Sequence, residues 1–170
     1  MDTREILAAT PLFADALDAG QLRTLATETR PAFFRAETRL MNQGDFGGSM
    51  FVIVEGKVAV SFTDESEREQ RVATLGKGEV VGEMSLFSGD RRSATVTAVT
   101  NVDAIEITKS SLEGIFRKAP DLIDRFGAVL ARRQAELKAL TPHKSGKQGD
   151  ALVRQARKVF AGLFRRPGDH

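Results

Sequence analysis

The chain has 170 residues, 41% hydrophobic and 28% charged, which is enough for one domain with its own core and a smaller appendage. It contains no cysteine, which excludes disulfides and thiolate metal sites and makes a reducing, cytoplasmic setting the expectation. No apolar run approaches the length of a bilayer span, and Met1-Asp2-Thr3-Arg4-Glu5 lacks the regions of a signal peptide.

The net charge of +2 conceals an asymmetry. Residues 1–131 hold 15 Lys/Arg against 20 Asp/Glu and residues 132–170 hold 10 against 3, so the two parts carry −5 and +7. An acidic body is a poor general nucleic-acid binder, whereas the basic tail suits an acidic partner, an anionic membrane or the body itself.

The N-terminal part reads as short helices. Asp18, with Gln21 three residues on, has the form of a capping box, and Leu22, Leu25 and Ala26 follow at helical spacing. From Pro31 the pattern changes to period two. It predicts strands at Ala32–Arg35, Thr38–Gln43, Met50–Val54, Lys57–Thr63, Gln70–Leu75, Ala94–Val99 and Val102–Ile107. Short strands this closely spaced imply a small barrel or sandwich. The glycines between them, Gly44, Gly47, Gly48, Gly56, Gly76, Gly78, Gly82 and Gly89, are read mostly as turn residues, and Asp64-Glu65-Ser66-Glu67-Arg68-Glu69 as a solvated hairpin loop.

Beyond Ile107 the chain turns helical again. Thr108 or Ser110 can cap a short helix ending at Lys118, and Pro120 suits the first turn of a long helix reaching about Leu140. Its apolar stripe is Leu122, Phe126, Val129, Leu130, Leu137 and Leu140, broken by Arg133. The expected organisation is a domain over 1–141, a flexible linker over 142–149, and a basic amphipathic helix and tail over 150–170. In that last helix Leu152, Ala156, Val159, Phe160 and Leu163 lie opposite Arg154, Arg157, Lys158 and Arg165, which suits a membrane surface, an acidic protein face or the acidic body of the same chain.

The segment Gly82-Glu83-Met84-Ser85-Leu86-Phe87-Ser88-Gly89-Asp90-Arg91-Arg92-Ser93-Ala94-Thr95-Val96 carries the chemistry. A glycine permits a sharp bend, a carboxylate follows, a helical turn can open at Met84, and Arg92 arrives nine residues after Glu83. A guanidinium with backbone N–H donors suits one negative charge, and a carboxylate suits a sugar hydroxyl. Taken singly, each residue has an ordinary reading: Glu83 as a cap, Arg92 as a surface charge paired with Asp90. It is the ordered combination, on a loop between two strands, that points to a ligand.

This segment resembles the phosphate-binding cassette of the cyclic nucleotide-binding domain family. The matching runs are Val81-Gly82-Glu83-Met84-Ser85-Leu86 and Arg91-Arg92-Ser93-Ala94-Thr95-Val96. The resemblance extends to Pro11-Leu12-Phe13, Leu17-Asp18, Gln43-Gly44-Asp45 and Phe51-Val52-Ile53-Val54-Glu55-Gly56-Lys57-Val58, covering roughly residues 5–140. It implies an α+β fold: an antiparallel β-roll or jelly-roll flanked by N-terminal short helices and a C-terminal lid helix.

It also implies that Glu83 contacts the ribose 2′-hydroxyl and Arg92 the cyclic phosphate, with Gly82, Met84, Ser85, Ser93 and Ala94 completing the pocket. Val60 and Val80 stand at positions that resemble those lining the base, and Arg132 is the candidate to cover it from the lid. Arg91 replaces the usual proline and Val81 the usual aromatic residue. In that family threonine at the position of Ser93 often accompanies guanine and alanine often accompanies adenine. Serine leaves both open, and cAMP is the expected ligand in preference to cGMP, with no further cofactor and no metal.

The output follows by analogy. The 30 residues beyond Leu140 are too few for the winged helix-turn-helix of a transcription regulator resembling catabolite activator protein. Only one binding unit is present, where kinase regulatory subunits usually have two. The chain is therefore expected to be a fragment of a longer protein or a stand-alone domain. The run Val129-Leu130-Ala131-Arg132-Arg133-Gln134-Ala135-Glu136-Leu137 resembles the cytosolic ends of bacterial cyclic nucleotide-gated, mechanosensitive-channel-like proteins, so a channel domain in the same parent chain is the favoured partner. The alternatives are a stand-alone regulatory protein acting on a protein partner, a truncated transcription regulator, and a metal-dependent cupin-like enzyme. The last would need several histidines, and the two present, His143 and His170, lie in linker and terminus. Oligomerisation stays open, and no enzyme activity and no nucleic-acid contact are expected.

Overall fold

The structure, a computed structural model, describes residues 2–88 and 91–129, apart from the side chains of Met84, Phe87 and Ser88. Three short helices open the chain: α1 (Thr3–Ala8), α2 (Pro11–Ala16) and α3 (Ala19–Thr27). Each start has a local cause. Asp2 accepts the Glu5 N–H at 2.8 Å to cap α1. Pro11 occupies the first turn of α2, where a backbone N–H would have no partner in the helix. Asp18 and Gln21 close a reciprocal capping box at α3, with bonds of 2.8 and 2.9 Å.

Eight strands follow: β1 (Arg30–Phe34), β2 (Arg39–Met41), β3 (Ser49–Glu55), β4 (Val58–Thr63), β5 (Glu69–Leu75), β6 (Val80–Val81), β7 (Thr95–Ala98) and β8 (Val102–Thr108). They form two four-stranded antiparallel sheets, β1-β8-β3-β6 and β2-β7-β4-β5. This is the antiparallel roll expected from the sequence, with strand ends displaced by one or two residues. Strand β6 is additional: two residues are too few for alternation to reveal. Glu69 belongs to β5 rather than to the preceding loop, and its carboxylate accepts the Ser61 hydroxyl at 2.7 Å. Pro31 is tolerated in β1 because that strand is a sheet edge.

Strand β3 is apolar almost throughout because both its faces are covered. Phe51 and Ile53 point between the sheets, where they meet Met41, Val58, Val96, Val102 and Ala104. Met50 and Val52 point the other way, with Ile105 and Ile107, against the helices. That helical layer is completed by α5 (Lys109–Lys118), capped by Thr108, one of the two candidate caps, and by the helical residues 121–129, called α6. The Ser111 hydroxyl donates to the Glu28 carbonyl at 3.0 Å and ties α5 to the end of α3.

Of the predicted apolar stripe, Leu122, Phe126 and Val129 are buried. Phe126 sits edge-on to Phe13 and Phe116, with ring centroids 6.0 and 5.5 Å away. The rest of the stripe, the linker over 142–149 and the basic helix lie outside the described residues. Among those described, no helix is long and apolar enough to cross a membrane. One short helix, α4 (Glu83–Ser88), interrupts the strands between β6 and β7.

Candidate functional site

The site is built where β6 runs into α4. Strand β6 ends at Val81 and α4 begins at Glu83, one residue before the expected Met84, so a single residue must turn the chain. That residue is Gly82, with φ of +84°. A Cβ there would stand 2.7 Å from Arg92 Nη1, 2.9 Å from Met41 Cε and 3.1 Å from the Ser49 carbonyl oxygen. Backbone conformation and lack of space both demand glycine.

The space beside Gly82 is taken by Arg92, which is only 7% exposed. Its Nη1 donates to the Gly82 carbonyl at 3.0 Å and to Ser85 Oγ at 2.7 Å, and its Nη2 donates to the Ser49 carbonyl at 2.6 Å. All three acceptors are neutral oxygens, so the guanidinium keeps its hydrogen bonds without neutralisation by them. Burial lowers its pKa, and the charge of the half-buried Glu83 acts in the opposite direction.

The main chain of Arg92 is clamped to the loop 42–48, which joins β2 to β3. Its N–H donates to the Asp45 carbonyl at 2.7 Å and its carbonyl accepts the Gly44 N–H at 2.8 Å. The loop is pinned elsewhere too. The Gln43 side chain brackets the Thr63 backbone, accepting its N–H at 2.7 Å and donating to its carbonyl at 3.1 Å. The Gly48 carbonyl accepts the Lys109 N–H at 2.7 Å. Sequence alone does not single out Gly47, which groups with the turn glycines. The structure gives it a different reason: its φ is not in the left-handed region, but a Cβ there would overlap the Arg92 guanidinium.

Arg92 and Glu83 line a pocket of about 180 Å³. Gly82, Ser85, Ser93 and Ala94 also line it, as do the two valines singled out for a base, Val60 and Val80. Sequence reasoning misses Met41, Phe62, Leu75, Val81 and Val96, which give it a wider apolar wall. For Phe62 a signal exists, since it follows Val60 by two residues on the same strand and shares its face. Met84 is placed in α4 without a described side chain, and Arg132 lies outside the described residues. The Arg91 side chain turns to the loop instead, stacking on Phe46 at 4.2 Å and donating to the Gly44 carbonyl at 3.0 Å. A cation and a carboxylate set among mostly apolar side chains suit a ligand with one negative charge, hydroxyls and a flat apolar part.

Comparison with known proteins agrees with this geometry. The family model described as "Cyclic nucleotide-binding domain" matches residues 31–119, from β1 to the end of α5. A cyclic nucleotide-gated potassium channel of Rhizobium etli is 33% identical over 130 residues, 76% of this chain and 35% of the channel. The cAMP-activated global transcriptional regulator CRP of Escherichia coli is 34% identical over 101 residues, 59% of this chain and 48% of the regulator. Among solved structures, a cyclic nucleotide-binding domain from Methylobacillus flagellatus superposes with a TM-score of 0.69 at 25% identity, covering 85% of this chain and 84% of that one. The chain thus spans about a third to a half of the two curated relatives. Since the match takes in more than half of its residues, both sheets and the buried arginine, the chain belongs to the cyclic nucleotide-binding domain family.

Proposed function

We propose that the pocket takes a cyclic nucleotide with its phosphate on Arg92 and its ribose hydroxyl on Glu83. The carrying observation is the buried Arg92 guanidinium, held only by neutral oxygens in the bonds described, in the lining of a mostly apolar pocket. Gly82, Met84, Ser85, Ser93 and Ala94 complete the phosphate end. Val60 and Val80 take the base, and Arg132 covers it. The ligand is cAMP in preference to cGMP, a reading supported by the cAMP named in the transcriptional relative and left open by Ser93. Binding would shift the helix that starts at residue 121, because a ligand moves an equilibrium only by its difference in affinity for two states.

The channel relative supports an output as the cytosolic regulatory domain of a bacterial cyclic nucleotide-gated channel. The transcriptional relative supports a second reading, a regulator acting through a separate output module. Coding sequence on either side of the chain decides between them.

Calorimetry with cAMP and cGMP tests the site. Removing one charge-assisted partner should weaken binding of Arg92→Ala roughly tenfold to a hundredfold. Equal affinity in native and variant protein would refute the site assignment, and tighter binding of cGMP would refute the base preference.

A further inference from the structure

We propose that Gly47, outside the 82–96 segment, is a positioning residue that sets where the Arg92 guanidinium meets the ligand's anion. The inference rests on the cyclic-nucleotide reading and deepens it. A side chain at residue 47 would overlap the guanidinium itself, at its Nε, Cζ and Nη2. The loop cannot retreat to relieve the overlap, because Asp45 and Gly44 are bonded to the Arg92 main chain and Gly48 to Lys109. The Arg91 bond to Gly44 adds a fourth tie. What gives is the far end of the Arg92 side chain, which must leave some of its three acceptors and move within the pocket.

Gly47 lies outside the left-handed region, so alanine brings no left-handed strain there. The three nearest atoms to the added Cβ in Gly47→Ala all belong to the Arg92 guanidinium, so the overlap is the main local consequence. The adjacent Gly48 provides the control: it too lies outside the left-handed region, and a Cβ there would meet nothing within 4 Å.

The experiment is a double-mutant cycle on the full chain, with cAMP affinity measured by calorimetry for native, Gly47→Ala, Gly48→Ala, Arg92→Ala and Gly47→Ala/Arg92→Ala proteins. Gly47→Ala should weaken binding about tenfold or more, the equivalent of one charge-assisted bond, and Gly48→Ala should not. In the Arg92→Ala background Gly47→Ala should change affinity less than about twofold. Native-like binding by Gly47→Ala, or an equal loss with and without Arg92, would overturn the proposal. A second readout needs no ligand: the Arg92 side-chain Nε–H resonance in nitrogen-15 spectra should shift in Gly47→Ala and stay in place in Gly48→Ala. An unshifted Gly47→Ala resonance would also overturn it. If native protein binds neither cAMP nor cGMP, the cyclic-nucleotide reading falls, while the resonance still reports on the contact between residue 47 and Arg92.

Discussion

Replacing Gly82 by alanine should cost more stability than the same change at Gly78, and the difference measures the crowding around Arg92. Both glycines hold similar backbone angles, φ +84° and +86°, so each alanine stores about 1–2 kcal/mol of left-handed strain. Part of this is offset by about 0.4–1 kcal/mol from a stiffer unfolded chain. At Gly78 nothing lies within 4 Å of the added Cβ, and the expected loss is about 1 kcal/mol.

At Gly82 the Cβ also meets Arg92 Nη1, Met41 Cε and the Ser49 carbonyl. Pushing Nη1 off even one of its acceptors, Gly82 O or Ser85 Oγ, removes a charge-assisted bond worth about 1.5–3 kcal/mol. The total is about 2.5–4 kcal/mol, or a fall in Tm of roughly 5–16 °C for a chain of this size. Because the chain has no tryptophan or tyrosine, urea unfolding is best followed by far-ultraviolet circular dichroism. Equal losses at the two positions, within about 0.5 kcal/mol, would refute the claim that Arg92 fills the space beside Gly82.

Two further outcomes follow from the packing and the loops. Phe126→Ala removes a fully buried ring from between Phe13 and Phe116 and should cost about 3–5 kcal/mol in thermal unfolding. A loss under about 1 kcal/mol would show that α6 is not anchored there. The Asp64 carboxyl is held below the usual aspartate range by the Ser66 hydroxyl and then by the Arg68 N–H. Its contribution is therefore present above the ordinary aspartate pKa and lost as pH falls through the lowered one. A carbon-13 titration placing Asp64 at or above the ordinary range would contradict the hydrogen bonding of this hairpin.

Much of the fold is legible because its signals are local. The Asp18 capping box, the helix start near Thr108, the apolar run of β3 and the alternation within β4 and β8 each declare themselves within a few residues. Strand β6 does not, because Val80 and Val81 become a strand only by pairing with Val52 and Phe51, which lie far away in sequence. The site divides the same way. Glu83 and Arg92 stand out by order and spacing, whereas Gly47 has meaning only once the fold brings loop 42–48 against Arg92. Gly44, Gly56, Gly78 and Gly82 do carry the positive φ that turn glycines are expected to supply, and Gly47 does not.

Two of the three oxygens that hold Arg92 belong to the main chain, at Ser49 and Gly82. Point mutation changes side chains, so it cannot delete those acceptors. The grip on the guanidinium is consequently buffered against sequence drift at residue 49, but not at Ser85, whose hydroxyl is an acceptor, nor at Gly82, where a side chain would crowd it. Its vulnerability falls instead on the two positions beside it that must carry no side chain, Gly47 and Gly82. Descendants of this chain should accept a change at residue 49, which gives up the Ser49 hydroxyl bond to Glu106 but keeps the carbonyl, before they accept a side chain at residue 47 or 82.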